Sequence, residues 1–186
     1  MIKLDKYEIL GLSSIILFIL NFNYYLFFDN FPEAFNLCYL TLIILGIGLL
    51  MNNRLSYSIG AFFVIFPIIQ VLFRIIGLLS YDPRLFSFWL ILEISIHAFL
   101  IIIAVIGFKK FQNFYPRTWL VASLLAIIIW FLTFFLNTSE INVNYTLKPP
   151  VFLEFLGLWG FFAFSAILTT TGWFLLNYYF SETRKK

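Results

Sequence analysis

Hydrophobic residues in this chain come in long, nearly unbroken runs, neither alternating as in a half-buried strand nor forming the narrow stripe of a surface helix. A helix needs about 20 mainly apolar residues to cross the hydrocarbon of a bilayer. Six runs approach or exceed that length, at 8–28, 35–51, 55–80, 87–108, 117–136 and 151–180. Turn-forming and charged residues punctuate them: Asp29-Asn30-Phe31-Pro32, Asn52-Asn53-Arg54, Tyr81-Asp82-Pro83-Arg84, Lys109-Lys110 through Pro116, and the longer 137–150 stretch. The pattern predicts an all-α integral membrane protein, a six-transmembrane-helix bundle forming a single domain over 1–186. The first run begins after mixed charges and lacks a small-residue cleavage site, so it reads as a retained span.

Composition strengthens this reading. The chain is 62% hydrophobic and 11% charged, with a mean hydropathy of +0.98, whereas soluble domains carry about 25% charged residues. A water-soluble enzyme, a disordered tail and a nucleic-acid-binding module are excluded on that ground. Lys and Arg are enriched in cytoplasmic loops. With the N-terminus inside, Lys3, Lys6, Arg54, Lys109, Lys110, Arg117, Arg184, Lys185 and Lys186 fall on the cytoplasmic side and only Arg84 and Lys148 on the other. Both termini are therefore expected in the cytoplasm, and the chain in a cell or internal membrane.

Ionisable groups at membrane depth are costly and mark function. Those of this chain gather in the outer half: Arg74 with Gln70 in the third run, Glu93 and His97 in the fourth, Glu154 near the start of the sixth, with Asn21, Asn23 and Cys38 at similar depth. Hydroxyls such as Ser13, Ser56 and Thr169 to Thr171 are expected toward the inner half, satisfied on helix carbonyls. The distribution predicts a polar cavity open toward the outer leaflet.

Glu93 and His97 are four residues apart and share a helix face, so the carboxylate can orient the imidazole. Cys38 is the only thiol. This excludes an internal disulfide and a cysteine-based zinc site, and a thiol beside His can become a nucleophilic thiolate. Arg74 offers a fork of donors suited to a headgroup phosphate. Each has a plainer reading: Cys38 as a small hydrophobe, His97 as an interhelical hydrogen-bonder, Arg74 as the ion-pair partner of Glu93 or Glu154, and Pro67 as a kink. No metal site, nucleotide loop or cofactor is expected.

Several stretches, in order along the chain, resemble the YwaF-type family of small integral membrane proteins, related to the TMEM-type Cys/His ether-phospholipid acyltransferases and more distantly to the androgen-induced membrane hydrolases. They are Phe31-Pro32-Glu33-Ala34-Phe35-Asn36-Leu37-Cys38, Asn52-Asn53-Arg54, Leu79-Ser80-Tyr81-Asp82-Pro83, Ser95-Ile96-His97, Asn144-Tyr145 followed by Lys148-Pro149-Pro150, and Leu156-Gly157-Leu158-Trp159. The resemblance implies Cys38 as acyl-accepting nucleophile, His97 as general base, and Asn144 and Tyr145 as the family's Asn-Tyr pair. Two departures stand out: Asn36 occupies the place of the family's histidine two before the cysteine, and the family often has one more N-terminal span.

Residues and resemblance together suggest a membrane-embedded Cys/His acyltransferase or acyl hydrolase. It would act on a phospholipid or lysophospholipid through a thioester on Cys38, with Glu93 orienting His97. Asn36, Arg74, Asn144, Tyr145 and Glu154 are the candidate substrate-binding residues. Two alternatives from other classes are a small-molecule-binding subunit of a transporter and a non-catalytic structural membrane protein. The bulky first run counts against the former, since docking between membrane helices favours small residues.

Overall fold

Asp5 starts the first helix. Its carboxylate accepts hydrogen bonds from the backbone N–H of Tyr7 and Glu8, each at 2.7 Å, while its own N–H donates to Glu8 Oε2 at 2.7 Å. This reciprocal cap satisfies N–H groups that have no partner within the helix. The computed structural model describes residues 4–27, 36–65, 68, 88–136 and 157–182. Among these are six helices and no strand: α1 (Lys6–Phe27), α2 (Leu37–Leu50), α3 (Arg54–Phe63), α4 (Phe88–Phe111), α5 (Thr118–Leu136) and α6 (Gly157–Glu182). Three helical stretches, Lys6–Phe27, Ile94–Phe111 and Thr118–Phe135, are long and apolar enough to cross a membrane.

Two asparagines make the tight link between α2 and α3. Asn52 takes the left-handed conformation at φ 51°, which Asn tolerates better than most side chains. The N–H of Asn53 reaches back to the Gly48 carbonyl at 2.8 Å, closing α2 with a Schellman-type bond. The Asn53 side chain then accepts from Ser56 N at 3.0 Å and caps α3. One residue ends a helix and the next begins its antiparallel neighbour.

Among the described residues, close backbone contacts gather near the end of the bundle that carries Lys6, Arg54, Lys109 and Lys110, the basic end. Gly11 of α1 crosses Gly46 of α2 so closely that a Cβ on Gly11 would lie 2.8 Å from the Gly46 carbonyl oxygen and the Leu50 nitrogen. Nearby, Ser14 Oγ donates to the Leu42 carbonyl at 2.7 Å. Gly48 lies against the backbone of Tyr57, and Gly107 of α4 against the Tyr57 ring and Leu49. The small face of α1, Gly11 with Ser14, is thus covered by α2 of the same chain. Outward-facing positions carry large apolar side chains, among them Ile16, Leu20, Ile127, Phe135, Ile167 and Leu175, as a lipid-facing surface requires.

Replacing Gly46 with Ala is expected to lower stability by about 1–3 kcal/mol through overpacking against backbone that cannot yield. Gly172→Ala, whose added Cβ would meet only the Ile65 side chain at 3.3 Å or beyond, is expected to be close to neutral. Thermal unfolding of the two variants in one detergent compares them. The carboxyl of Asp5 is held below its ordinary value of 3.8, chiefly by the hydrogen bond from the Glu8 backbone, with Tyr7, Lys110 and Lys6 adding. A depressed carboxylate contributes stability above its unfolded value and loses it as pH falls through the folded one. Hydrogen-exchange protection at Tyr7 and Glu8 should therefore drop on acidification below about pH 4, and Asp5→Ala should lack that protection at every pH.

Candidate functional site

Tyr57 anchors the part of the structure from which depth can be measured. Its side chain is fully buried, its hydroxyl donates to the Ala104 carbonyl at 2.5 Å, and its ring stacks on Phe111 at 4.7 Å between centroids. Phe114 continues the stack and meets Trp173 of α6 at 4.4 Å, and Trp173 in turn packs edge-on against Phe62. The basic residues close this end. Arg54 donates from Nε to the Asn113 carbonyl at 3.1 Å and from Nη2 to the Phe114 carbonyl at 2.6 Å. Lys110 donates to the Leu49 carbonyl at 3.2 Å, lies 3.9 Å from Asp5, and sits over the Tyr7 ring at 5.3 Å. Arg54 and Lys110, which the sequence marks as topological signals, thus also satisfy carbonyls in and beyond the last turns of α2 and α4. A Lys or Arg next to a helix C-terminus and a polar break is the signal that points to such a role.

Gly11, Leu49, Tyr57 and Gly107 are in contact and define one layer. At 1.5 Å per residue, Asn21 lies about 15 Å outward from Gly11 along α1, Cys38 about 16 Å from Leu49 along α2, and His97 about 15 Å from Gly107 along α4. The three residues therefore share a depth. Each lies on the buried face of its helix: Cys38 with Leu42, Leu45 and Leu49, His97 with Ile96, Leu100 and Ile103, and Asn21 with Gly11 and Ser14. Cys38 is 5% exposed and His97 only 1%.

Local structure around the thiol is specific. Asn36 has extended rather than helical dihedrals and its carbonyl accepts from Tyr39 N and Leu40 N, so Cys38 sits in the first turn of α2. The Tyr39 hydroxyl pairs with that of Tyr25 on α1 at 2.9 Å, fastening α1 to α2 beside the cysteine. Thr41 Oγ1 is directed back to the Leu37 carbonyl at 2.6 Å.

The remaining candidates divide clearly. Asn36 is half-buried at the start of α2. Glu93 belongs to α4, but its side chain lies outside the described residues, as do Arg74, Asn144, Tyr145 and Glu154 and, in the third run, Pro67 and Gln70. Asn21 and Asn23 each donate to the carbonyl four residues back, Leu17 and Ile19, at 2.9 and 2.8 Å. Asn21 is buried on the inward face of α1, whereas Asn23 is exposed. No group of three or more metal-ligating side chains occurs among the described residues. The chain matches no family model, no curated protein and no solved structure, so the YwaF-type resemblance rests on the short stretches that carry it.

Tyr57→Phe keeps the ring stack and loses only the bond to Ala104; it should cost about 0.5–1.5 kcal/mol. Tyr57→Ala empties the layer and should cost about 3–5 kcal/mol, by analogy with other buried aromatic truncations. Chemical or thermal unfolding in detergent measures both.

Proposed function

We propose that the protein is a membrane-embedded acyl-transfer or acyl-hydrolysis enzyme that uses Cys38 as nucleophile and His97 as general base. Six spans would carry it, with the basic end and both termini in the cytoplasm, so that Cys38 and His97 fall in the outer half of the bilayer. The observation that supports this most directly is the shared depth of the only thiol and the only imidazole, both on buried helix faces. A lipid ester lies near the edge of the hydrocarbon, within reach of groups at such depth. The first turn of α2 adds a further element, since the positive end of a helix dipole favours negative charge on sulfur.

In this scheme His97 takes the thiol proton as the Cys38 sulfur bonds to the carbonyl carbon of a phospholipid ester. The tetrahedral oxyanion collapses, the bond to the glycerol oxygen breaks, and that oxygen takes the proton back from His97 and leaves as the lysolipid alcohol. A second lysolipid alcohol then attacks the thioester, giving transfer, or water attacks it, giving hydrolysis. Glu93 would hold the imidazole in one tautomer, Asn36, Asn144 and Tyr145 would meet the oxyanion, and Arg74 and Glu154 would contact the headgroup.

Intact-mass spectrometry of the protein incubated with mixed phospholipids tests the scheme. A fatty-acyl adduct is expected on the wild type, released by hydroxylamine or by lysolipid and missing in Cys38→Ser. In His97→Ala its formation should be slower by about 10²- to 10⁴-fold. Full phospholipid turnover by Cys38→Ser would overturn the proposal.

A further inference from the structure

Every Lys and Arg among the described residues lies at the basic end, and these cations divide by what they touch. Arg54 and Lys110 turn inward and donate to backbone carbonyls. Lys6 is exposed but holds its ammonium 5.0 Å over the Tyr7 ring. Lys109 and Arg117 are exposed, and among the described residues neither side chain makes a hydrogen bond, an ion pair or a ring contact. Their placement says which medium they meet. Lys109 is in the last turn of α4, and the exposed positions Ala98, Ile102 and Val105 precede it at helical spacing on the same face. It therefore ends the outward apolar face of a helix long and apolar enough to cross a bilayer. Arg117 immediately precedes α5, whose exposed apolar positions begin at Leu120 and continue at Leu124, Ile127 and Phe131. Exposed Tyr115 and Trp119 bracket it, and rings of these types settle at headgroup level. The link that carries Arg117 is braced, since Arg54 holds the carbonyls of Asn113 and Phe114 and Ser58 Oγ accepts from Tyr115 N at 2.8 Å.

We infer that Lys109 and Arg117 are headgroup contacts for anionic phospholipids of the leaflet at the basic end, whose acyl chains lie along the exposed faces of α4 and α5. The inference is independent of the acyl-transfer reading, since neither Cys38 nor His97 takes part. Charge decides the class of lipid. A zwitterionic headgroup carries its own ammonium beside the phosphate, whereas an anionic one leaves the phosphate charge for the protein to neutralise. Arg117 can hold two phosphate oxygens with its fork of donors, and Lys109 acts as a point charge whose stem follows the apolar face of its helix. One molecule thus matches both features of each surface, a cation at headgroup level and hydrocarbon beside it. α4 and α5 each pack on α3 and each presents its own outward face, so the contacts are two rather than one shared pocket. A Lys or Arg near a membrane surface favours anionic lipid by about fivefold.

The test is photo-crosslinking of the full-length protein in phosphatidylcholine vesicles at low salt. A trace of phosphatidylglycerol or of phosphatidylcholine is added, each with a diazirine on the acyl carbons near the glycerol, and labelled peptides are mapped by mass spectrometry. In the wild type the phosphatidylglycerol probe is expected to label the basic-end halves of α4 and α5 about two- to fivefold more than the phosphatidylcholine probe. Lys109→Gln should remove that preference on α4 alone and Arg117→Gln on α5 alone, while Lys6→Gln leaves both. Melting temperatures in detergent should match the wild type, because neither side chain has a partner to lose. Lys109→Arg and Arg117→Lys keep the charge and should keep the preference, which separates loss of charge from loss of fold. Equal labelling by the two probes in the wild type overturns the inference. So does a preference that survives in Lys109→Gln/Arg117→Gln, or one that Lys6→Gln lowers as much, since either assigns it to the overall charge of the protein. Absence of label from both α4 and α5 overturns it as well, because those faces are then covered by another protein copy instead of lipid.

Discussion

Close backbone contact at the Tyr57 layer is the constraint on which the rest of this bundle depends. Helices in lipid gain little from burying apolar side chains against one another, since lipid tails are equally apolar, so association depends on close packing and on hydrogen bonds. Gly11, Gly46, Gly48 and Gly107 remove the side chains that would hold α1, α2, α3 and α4 apart, and the Tyr57 ring fills the space where they meet. Its hydroxyl is satisfied by a helix carbonyl rather than by water. Trp173, against Phe114 and Phe62, ties α6 to the same layer.

The charged groups of the basic end act on this layer from outside. Lys110 and Arg54 each donate to backbone carbonyls at or just beyond a helix end, where the ladder of intrahelical bonds has run out. The Lys110–Asp5 contact is partly exposed, and such pairs contribute little by charge alone. Their value is geometric: Lys110 joins the start of α1 to the ends of α2 and α4, and Arg54 joins the start of α3 to the 112–117 link. With those ends fastened, the register of the helices is set along their whole length.

Register sets which polar residues of different helices fall at one depth. Ser14, Thr41 and Thr133 bond to helix carbonyls and serve packing. Cys38, His97 and Asn21, on α2, α4 and α1, each lie ten or eleven residues along their helices from the Tyr57 layer. The Tyr25–Tyr39 hydroxyl pair fastens α1 to α2 close to this depth.

The sequence by itself determined the helical class, the long apolar runs and the residues with chemistry to offer, because chain solubility and helix length depend only on composition and on consecutive positions. Asn52 and Asn53 were legible as a break for the same local reason, and Cys38 and His97 because a lone thiol and a lone imidazole stand out in an apolar chain. The tertiary structure decided what no local pattern encodes. Gly11 in a bulky first run gave no sign of a docking face until Gly46 came against it, and Tyr57 was one aromatic among many until Gly48 met its backbone and Gly107 its ring. Trp173 reads in sequence as one more aromatic in an apolar run, and its place against Phe114 and Phe62 depends on how α6 packs. Which polar residues share a depth is a property of relative helix offset, and offset is set by contacts between residues far apart in the chain.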